Sequence, residues 1–466
     1  MRNRIGLGVF VVCAPENTLR GFPLAIFLLT TLIFSIMGLI KRPNELTVKT
    51  TLSALIYGQP GMGKAQPLYC NILTPTGFKK LSDLSVGDEV MGHDGKVQKV
   101  LGIYPQGIRP VYRIMTNDSA ITYCDEEHIW TVRSSTGNSR KAGFKNVTLK
   151  EMIAKGISCP LSPSRQSTTR KAIPRYEIPV AEAMDYPEKE YEVNPYILGV
   201  LIGDGSLTGN VAMFSNPDMD NQILEEVKML LPSVYSIRKN EAPQCPQYSI
   251  VLRGNGEGYI QKIKRLGLNV HSGDKFIPSE YKLGSREQRL ALLRGLMDTD
   301  GHANKNRVSF STSSRILADD FVHLVLSLGG IAKAVGYPRE DKGIEYRVTV
   351  NMSECPFTLE RKAAQWKPVT PSRYIIDAEK IEDSECVCIK VSNEDELYIT
   401  DDFIVTHNTT LALSAPNPVL FDYDGGIHRV NAAHRVPTVQ ITSWDETNQV
   451  LSSEEIKEFS TIVCRY

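Results

Sequence analysis

Neither sign of charge is in excess here, since 53 Lys and Arg balance 53 Asp and Glu. A zero balance decides nothing about nucleic acid, because acidic and basic regions can cancel, so partner classes must come from motifs. Paired cysteine spacings are lacking too. The nine cysteines are scattered, and the closest two, Cys386 and Cys388, form a C-x-C that puts both thiols on one face of a strand. One such pair is a weak metal signal, and the thiols read as free in a reducing compartment. Long apolar runs are scarce. Only 22–40 (FPLAIFLLTTLIFSIMGLI) is long enough to span a bilayer, with Lys41-Arg42 behind it. It reads either as a membrane anchor or uncleaved signal, or as leader sequence translated from a start set too early, with Met37 a second start. Nothing downstream calls for a membrane, so the second reading is preferred and a cytoplasmic location expected.

A further lack is the most informative. Gly58-Gln59-Pro60-Gly61-Met62-Gly63-Lys64 supplies a phosphate-binding loop, G-x-x-x-x-G-K, without the Ser or Thr that must follow. That hydroxyl appears only at Thr409, which with Thr410 opens Thr409-Thr410-Leu411-Ala412-Leu413. Without 65–408, Gly58 to Leu413 is an unbroken loop followed by its helix. Backbone N–H groups that wrap a phosphate cannot hold hundreds of residues between the Lys and the Mg²⁺-binding hydroxyl. The middle of the chain therefore reads as a segment that removes itself.

Length and texture support a nested order. At 466 residues the chain holds roughly two to four domains. Leu46–Tyr57 is a strand-like approach to the loop, and 68–135 is β-rich, with a hairpin signature around Asp94-Gly95. Residues 136–190 are polar and read as a linker with some local structure. Asn194-Pro195 then opens one helix as N-cap and N1, and Ser285-Arg286-Glu287-Gln288 opens another as a capping box. The two helices end alike, at Gly203-Asp204-Gly205 and Asp298-Thr299-Asp300-Gly301. Short strands return from Glu385, and 409–466 is α/β in character.

The boundary residues resemble those of inteins. Thr406-His407-Asn408 stands before the hydroxyl residue Thr409. Asn408 can close a succinimide on its own carbonyl and break the bond to Thr409, with His407 assisting proton transfer. At the other end stands Ala65, which offers no nucleophile. Starting at Cys70 instead would leave five extra residues in the loop, so that start is rejected. Three separated residues resemble the intein class that supplies its nucleophile internally: Trp130, two after His128; Cys388; and Thr406. The resemblance implies that Cys388 attacks the Lys64 carbonyl while His128 protonates the Ala65 nitrogen, leaving a thioester. Thr409 then takes over the acyl group, and Asn408 cyclisation frees 65–408. Splicing on this reading needs no cofactor. Two residues depart from the intein pattern: Asp125 stands where a Thr is usual, and Glu396 where many inteins place a His, which leaves the activation of Asn408 open.

The segment inside this insert resembles a LAGLIDADG homing endonuclease with two motif copies. Gly199 and Gly203 share one helix face, as do Ala291, Gly295 and Thr299, so two helices can approach closely. Their ends then bring Asp204 and Asp300 together as ligands for Mg²⁺ beside a phosphodiester. Lys275 matches a basic active-site position and reads equally as a solvated lysine. The implied partner is double-stranded DNA, the intein-free allele of its own gene. The outer segments resemble a P-loop ATPase of the RecA-like or AAA kind, for which Gly58, Gly61, Gly63, Lys64, Thr409 and Thr410 would hold ATP and Mg²⁺; the host segment reads as incomplete because no acidic residue follows Phe459–Val463.

The expected fold is multidomain. It comprises an N-terminal host segment 1–64 (with a possible leader 1–36), an all-β Hint-type splicing domain in two parts (65–185 and 356–408), an α/β LAGLIDADG domain (186–355) between them, and an α/β host segment 409–466. Alternatives from other classes are a splicing-deficient chain that only cuts DNA, an ATP-binding protein with an unremoved insertion, and an intein in which Thr409 attacks directly. Processing of the expressed chain separates them.

Overall fold

In a computed structural model, the described residues are 6–13, 51–57, 65–135, 143–167, 172–240, 245–304, 307–340, 343–393, 395–407, 418–422, 437–453, 455 and 461–465. The apolar run 22–40, the loop residues Gly58–Lys64 and the downstream Asn408, Thr409 and Thr410 lie outside them. No helix among the described residues is long and apolar enough to cross a membrane. The chain divides into two compact units, Gly63–Asn408 and the flanking segments Met1–Met62 with Thr409–Tyr466.

The flanking unit holds a five-stranded parallel sheet in the order Thr51–Tyr57, Gly6–Cys13, Thr461–Arg465, Pro418–Asp422, Thr438–Gln440. Gly6–Cys13 falls within the stretch read as a leader, yet it pairs on both sides in this sheet.

The inner unit is built from two bodies. The first is all antiparallel β. One sheet runs Lys145–Thr148, Ile129–Ser134, Tyr176–Ile178, Arg373–Lys380, Val111–Thr116, Ile121–Asp125. A second runs Gln66–Pro67, Ser384–Val391, Val97–Arg109, Glu89–Met91, and a third Ile404–His407, Leu397–Thr400, Asn71–Thr74, Gly77–Lys80. Strands from both ends of the segment thus interleave. The polar stretch 136–190, expected to be mostly linker, contributes strands Lys145–Thr148 and Tyr176–Ile178 and helix Leu149–Lys155 to this body. Strands of three or four residues are too short to show an alternation.

The second body repeats one αβ unit. The first motif helix, Pro195–Asp204, precedes a four-stranded sheet ordered Gly205–Ser206, Ala212–Ser215, Gln247–Leu252, Tyr235–Asn240. The second, Arg286–Asp300, precedes Gly301–Asn304, Arg307–Thr312, Gly343–Asn351, Ile331–Arg339 in the same order. Both starts follow from their caps. Asn194 Oδ1 accepts the Tyr196 and Ile197 N–H groups at 2.9 and 3.4 Å, and Ser285 with Gln288 closes a capping box. The helices touch through glycine: a Cβ on Gly199 would run into Leu292 O, and one on Gly295 into Tyr196 O. Their shared core extends beyond residue 355 to Phe357 and Leu359.

The two bodies share apolar surface. Leu326 and Ile331 of the αβ body are buried with Leu73, Leu397, Ile399, Phe403 and Val405 of the β body. His323, on helix Arg315–Ser327, meets Phe78 and Phe403 edge-on at 6.0 and 5.0 Å, and burial pushes its imidazole down to about 3, so it packs as a neutral aromatic. Buried Arg289 joins Ser327 Oγ at 2.7 Å and also reaches Met184 O.

Candidate functional sites

Both ends of the inner segment arrive at one turn, Asp125–His128. At the upstream end Ala65 is fully buried; its N–H donates to Asp125 Oδ1 at 3.3 Å, and the Asp125 N–H returns to Ala65 O at 2.9 Å. At the downstream end His128 Nε2 and Thr406 Oγ1 are 2.6 Å apart. Trp130, two residues on along the strand, packs edge-on to the His128 ring at 5.6 Å and is buried. The indole thus walls the imidazole while Thr406 fixes its Nε2.

Strand Ser384–Val391 pairs Cys386 with Pro67 and Val387 with Gln66, so Cys388 stands one residue past the last pair, in line with Ala65. Its thiol is buried and donates to Ile389 O at 3.6 Å. Cys386 shares that face, as the C-x-C spacing predicts, but packs with Ala65 and Val111, and burial pushes its thiol up to about 12. Cys70, Cys124, Cys159, Cys245, Cys355, Cys386 and Cys388 form no disulfide. His407 is buried, with Nε2 at 3.1 Å from Asn146 Nδ2. Asn146 Oδ1 is taken by the Thr131 hydroxyl at 2.8 Å, so the amide presents its N–H to His407 Nε2. Neither Asp125 nor Asn146 stood out as a site residue in the sequence. Asp125 showed only as a departure from threonine, and Asn146 gave no signal.

The second centre lies where the motif helices end. Asp204 and Asp300 line one cavity of about 430 Å³ together with Lys275, Ser272, Ser311 and Arg339. Burial pushes both carboxyls above the usual range, and the Asp204 charge helps raise Asp300 to about 7. Lys275 is buried, not solvated. Its Nζ donates to Ile202 O, Gly203 O and Gly205 O at 2.7, 2.9 and 2.9 Å, closing the C-terminus of the first motif helix. Lys362 does the same at the second, reaching Met297 O, Asp298 O and Thr299 O at 3.0, 2.6 and 3.0 Å. Sequence reasoning missed it because it lies on the four-residue helix Glu360–Ala363, past the expected boundary.

Not every acidic residue of the second motif belongs to the centre. Asp298 is spent on structure, accepting from Tyr196 OH at 2.9 Å and from the Thr358 and Leu359 N–H groups. Two carboxyls that share one cavity, Asp204 exposed and Asp300 half-buried, with Glu345 also on its wall, fit a hard divalent cation that would relieve their repulsion. Asp204 and Asp300 would hold it, and when bound it would supply Lewis-acid stabilisation of a phosphoryl oxygen.

Residues 287–356 match the family model for the LAGLIDADG-like domain. This segment takes in the second motif helix, Asp300 and most of the strands that follow. The chain is 29% identical over 386 residues to the replicative DNA helicase DnaB of Mycobacterium intracellulare, covering 77% of this chain and 61% of that protein. The chain thus spans about three-fifths of that relative's length. Among solved structures, an MchDnaB-1 intein is 12% identical, covering 74% of this chain and all of that one at a TM-score of 0.24. A mesophilic variant of the homing endonuclease I-DmoI is 13% identical, covering 37% of this chain and 94% of that one at a TM-score of 0.28.

Proposed function

We propose that the chain is an intein that excises 65–408, joins Lys64 to Thr409, and cuts the DNA of its own intein-free allele. The observation that carries the splicing half is the single turn that holds both ends, with Asp125 on the Ala65 amide and His128 on Thr406. A protein segment that must break bonds at its two termini needs them at one catalytic cluster. Cys388 is the first nucleophile: its sulfur attacks the Lys64 carbonyl and the N-terminal host segment passes to it as a thioester. Thr409 receives the segment, Asn408 cyclises with His407 assisting, and the ester rearranges to the peptide bond.

The nuclease half rests on Asp204 and Asp300 meeting at the end of paired helices, with Lys275 and Lys362 behind them. Double-stranded DNA is the substrate and Mg²⁺ the metal on this reading. An intact insert splits the target site and protects its own copy. The host is a P-loop ATPase of the replicative-helicase kind, with ATP and Mg²⁺ at Gly58–Lys64, Thr409 and Thr410 after splicing, and the free thiols fit a cytoplasmic setting.

Intact masses of the expressed chain and its Cys388→Ala form test the splicing half. A released 65–408 with a joined 1–64/409–466 product, both lost on substitution, is expected. Splicing that survives Cys388→Ala would mean direct attack by Thr409, and an unprocessed parent would leave only the nuclease.

A further inference from the structure

Asp125 sits on the nitrogen that the first splicing step must release, yet the usual residue at its place is an alcohol. We propose that Asp125 is a general acid of that step, delivering a proton to the Ala65 nitrogen as the Lys64–Ala65 bond breaks. The inference rests on the splicing reading above and assigns a role within it.

Two observations point the same way. The first is contact: the Ala65 N–H donates to Asp125 Oδ1 at 3.3 Å, and the return bond from the Asp125 N–H to Ala65 O at 2.9 Å fixes the two residues against each other. The carboxyl therefore lies beside the leaving atom before reaction begins, and a small turn as the nitrogen loses its planarity lets it give a proton. The second is the other oxygen. Asp125 is buried, and among the described residues its Oδ2 meets no hydrogen-bond partner, a costly state for a carboxylate and a tolerable one for a carboxylic acid.

The surroundings favour the acid form. Burial raises the Asp125 carboxyl to about 6; the Ala65 N–H, Arg109, on strand Val97–Arg109, and the His128 backbone N–H pull it down, and Glu127 pushes it up. The thiols of Cys124 and of Cys386, on strand Ser384–Val391, also face it, both pushed up by burial first and by Asp125 next. A threonine in the same position accepts the Ala65 N–H equally well but has no proton of useful acidity to give.

The step balances without a co-reactant. The Cys388 sulfur bonds to the Lys64 carbonyl carbon, and the C–N bond breaks with its electron pair going to nitrogen. The Asp125 proton completes the Ala65 amine, and the proton lost by the Cys388 thiol restores the acid. An amide and a thiol become a thioester and an amine.

The test isolates this step. In an Asn408→Ala, Thr409→Ala form of the full chain, thioester formation is read as hydroxylamine-triggered release of 1–64 between pH 5 and 9. Release should fall at high pH as Asp125 loses its proton. Asp125→Asn, which keeps an acceptor for the Ala65 N–H, should slow release about 100-fold or more and abolish that fall. Asp125→Thr should be equally slow. Either variant running within threefold of the parent, or a parent without the alkaline fall, overturns the proposal and leaves Cys388-dependent splicing standing. A parent whose release is absent or survives Cys388→Ala overturns the splicing reading itself. Asn408-dependent release of 409–466 by Asp125→Asn, measured with Asn408 and Thr409 restored, shows that the variant is folded.

Discussion

The two candidate centres, for splicing and for DNA cutting, are built in opposite ways. The nuclease centre is two-fold: each motif helix ends on an aspartate, and each C-terminus is closed by one buried lysine donating to three carbonyls. The splicing centre has no internal symmetry. Its residues come from the first strand, the Asp125–His128 turn, strand Ser384–Val391 and the last strand. On the proposed reading the contrast follows from the substrates. A duplex presents two equivalent phosphodiesters, whereas a precursor presents two unlike peptide bonds that must break in order.

The sharpest way to break that comparison is to silence one centre at a time. Asp204→Asn with Asp300→Asn should lower DNA cleavage at least 10²–10³-fold, the scale expected for losing the metal ligands. Splicing yield in the same sample, read on a gel beside plasmid linearisation, should not move. Loss of both activities together would mean that the centres are not independent.

Next in size is a test of the two-fold arrangement. Lys275→Met and Lys362→Met should each cost cleavage about 10–100-fold, and by similar factors, because each removes one charge-assisted donor set from an equivalent helix end. Unequal losses would show that only one half carries catalysis.

Thr406→Val sharpens the other side. Removing the hydroxyl from His128 Nε2 should slow hydroxylamine-triggered release about tenfold, the worth of one buried hydrogen bond to an imidazole. Asn408-dependent cleavage should change less.

A pH effect follows from the nuclease centre. Asp300 has its folded pKa raised, to about 7, so the folded state binds the extra proton between the ordinary carboxylate range and that value. Stability should therefore be fullest at low pH within that window and decline as pH rises toward 7. Thermal melts without divalent metal should show the decline, Asp300→Asn should flatten it, and added Mg²⁺ should reverse it at neutral pH. The smallest effect expected is that of Asn146→Ala. Freeing the His407 tautomer from an exposed partner should slow Asn408 cleavage only about three- to fivefold, measured as release of 409–466.

How much of this was legible in the sequence differed between the centres for the same reason. Repetition is readable, so the two glycine-faced helices, their caps and Asp204 with Asp300 stood out. Lys362 did not, because a lysine on a four-residue helix beyond the last strand has no motif around it. In the splicing centre the junction chemistry was visible, since Asn408, Thr409 and the broken loop announce it. The polar side chains around it were not. Asn146 belongs to a four-residue strand in a polar stretch, and its register against Ile129–Ser134 exists only once the sheet forms. Asp125 appeared as a mismatch, and its meaning came from the 3.3 Å contact with Ala65.

Helix Arg315–Ser327 belongs to the nuclease body by sequence order, yet His323 and Leu326 lie against Phe403 and Val405, just before Thr406 and His407. This bears on how such an element decays. A lineage that no longer needs DNA cutting can lose it through point changes at Asp204 or Asp300. Dropping the whole insertion would also strip the wall from behind Phe403 and Val405. The expected relic is a full-length body with a dead nuclease, kept for the shape it gives its neighbour.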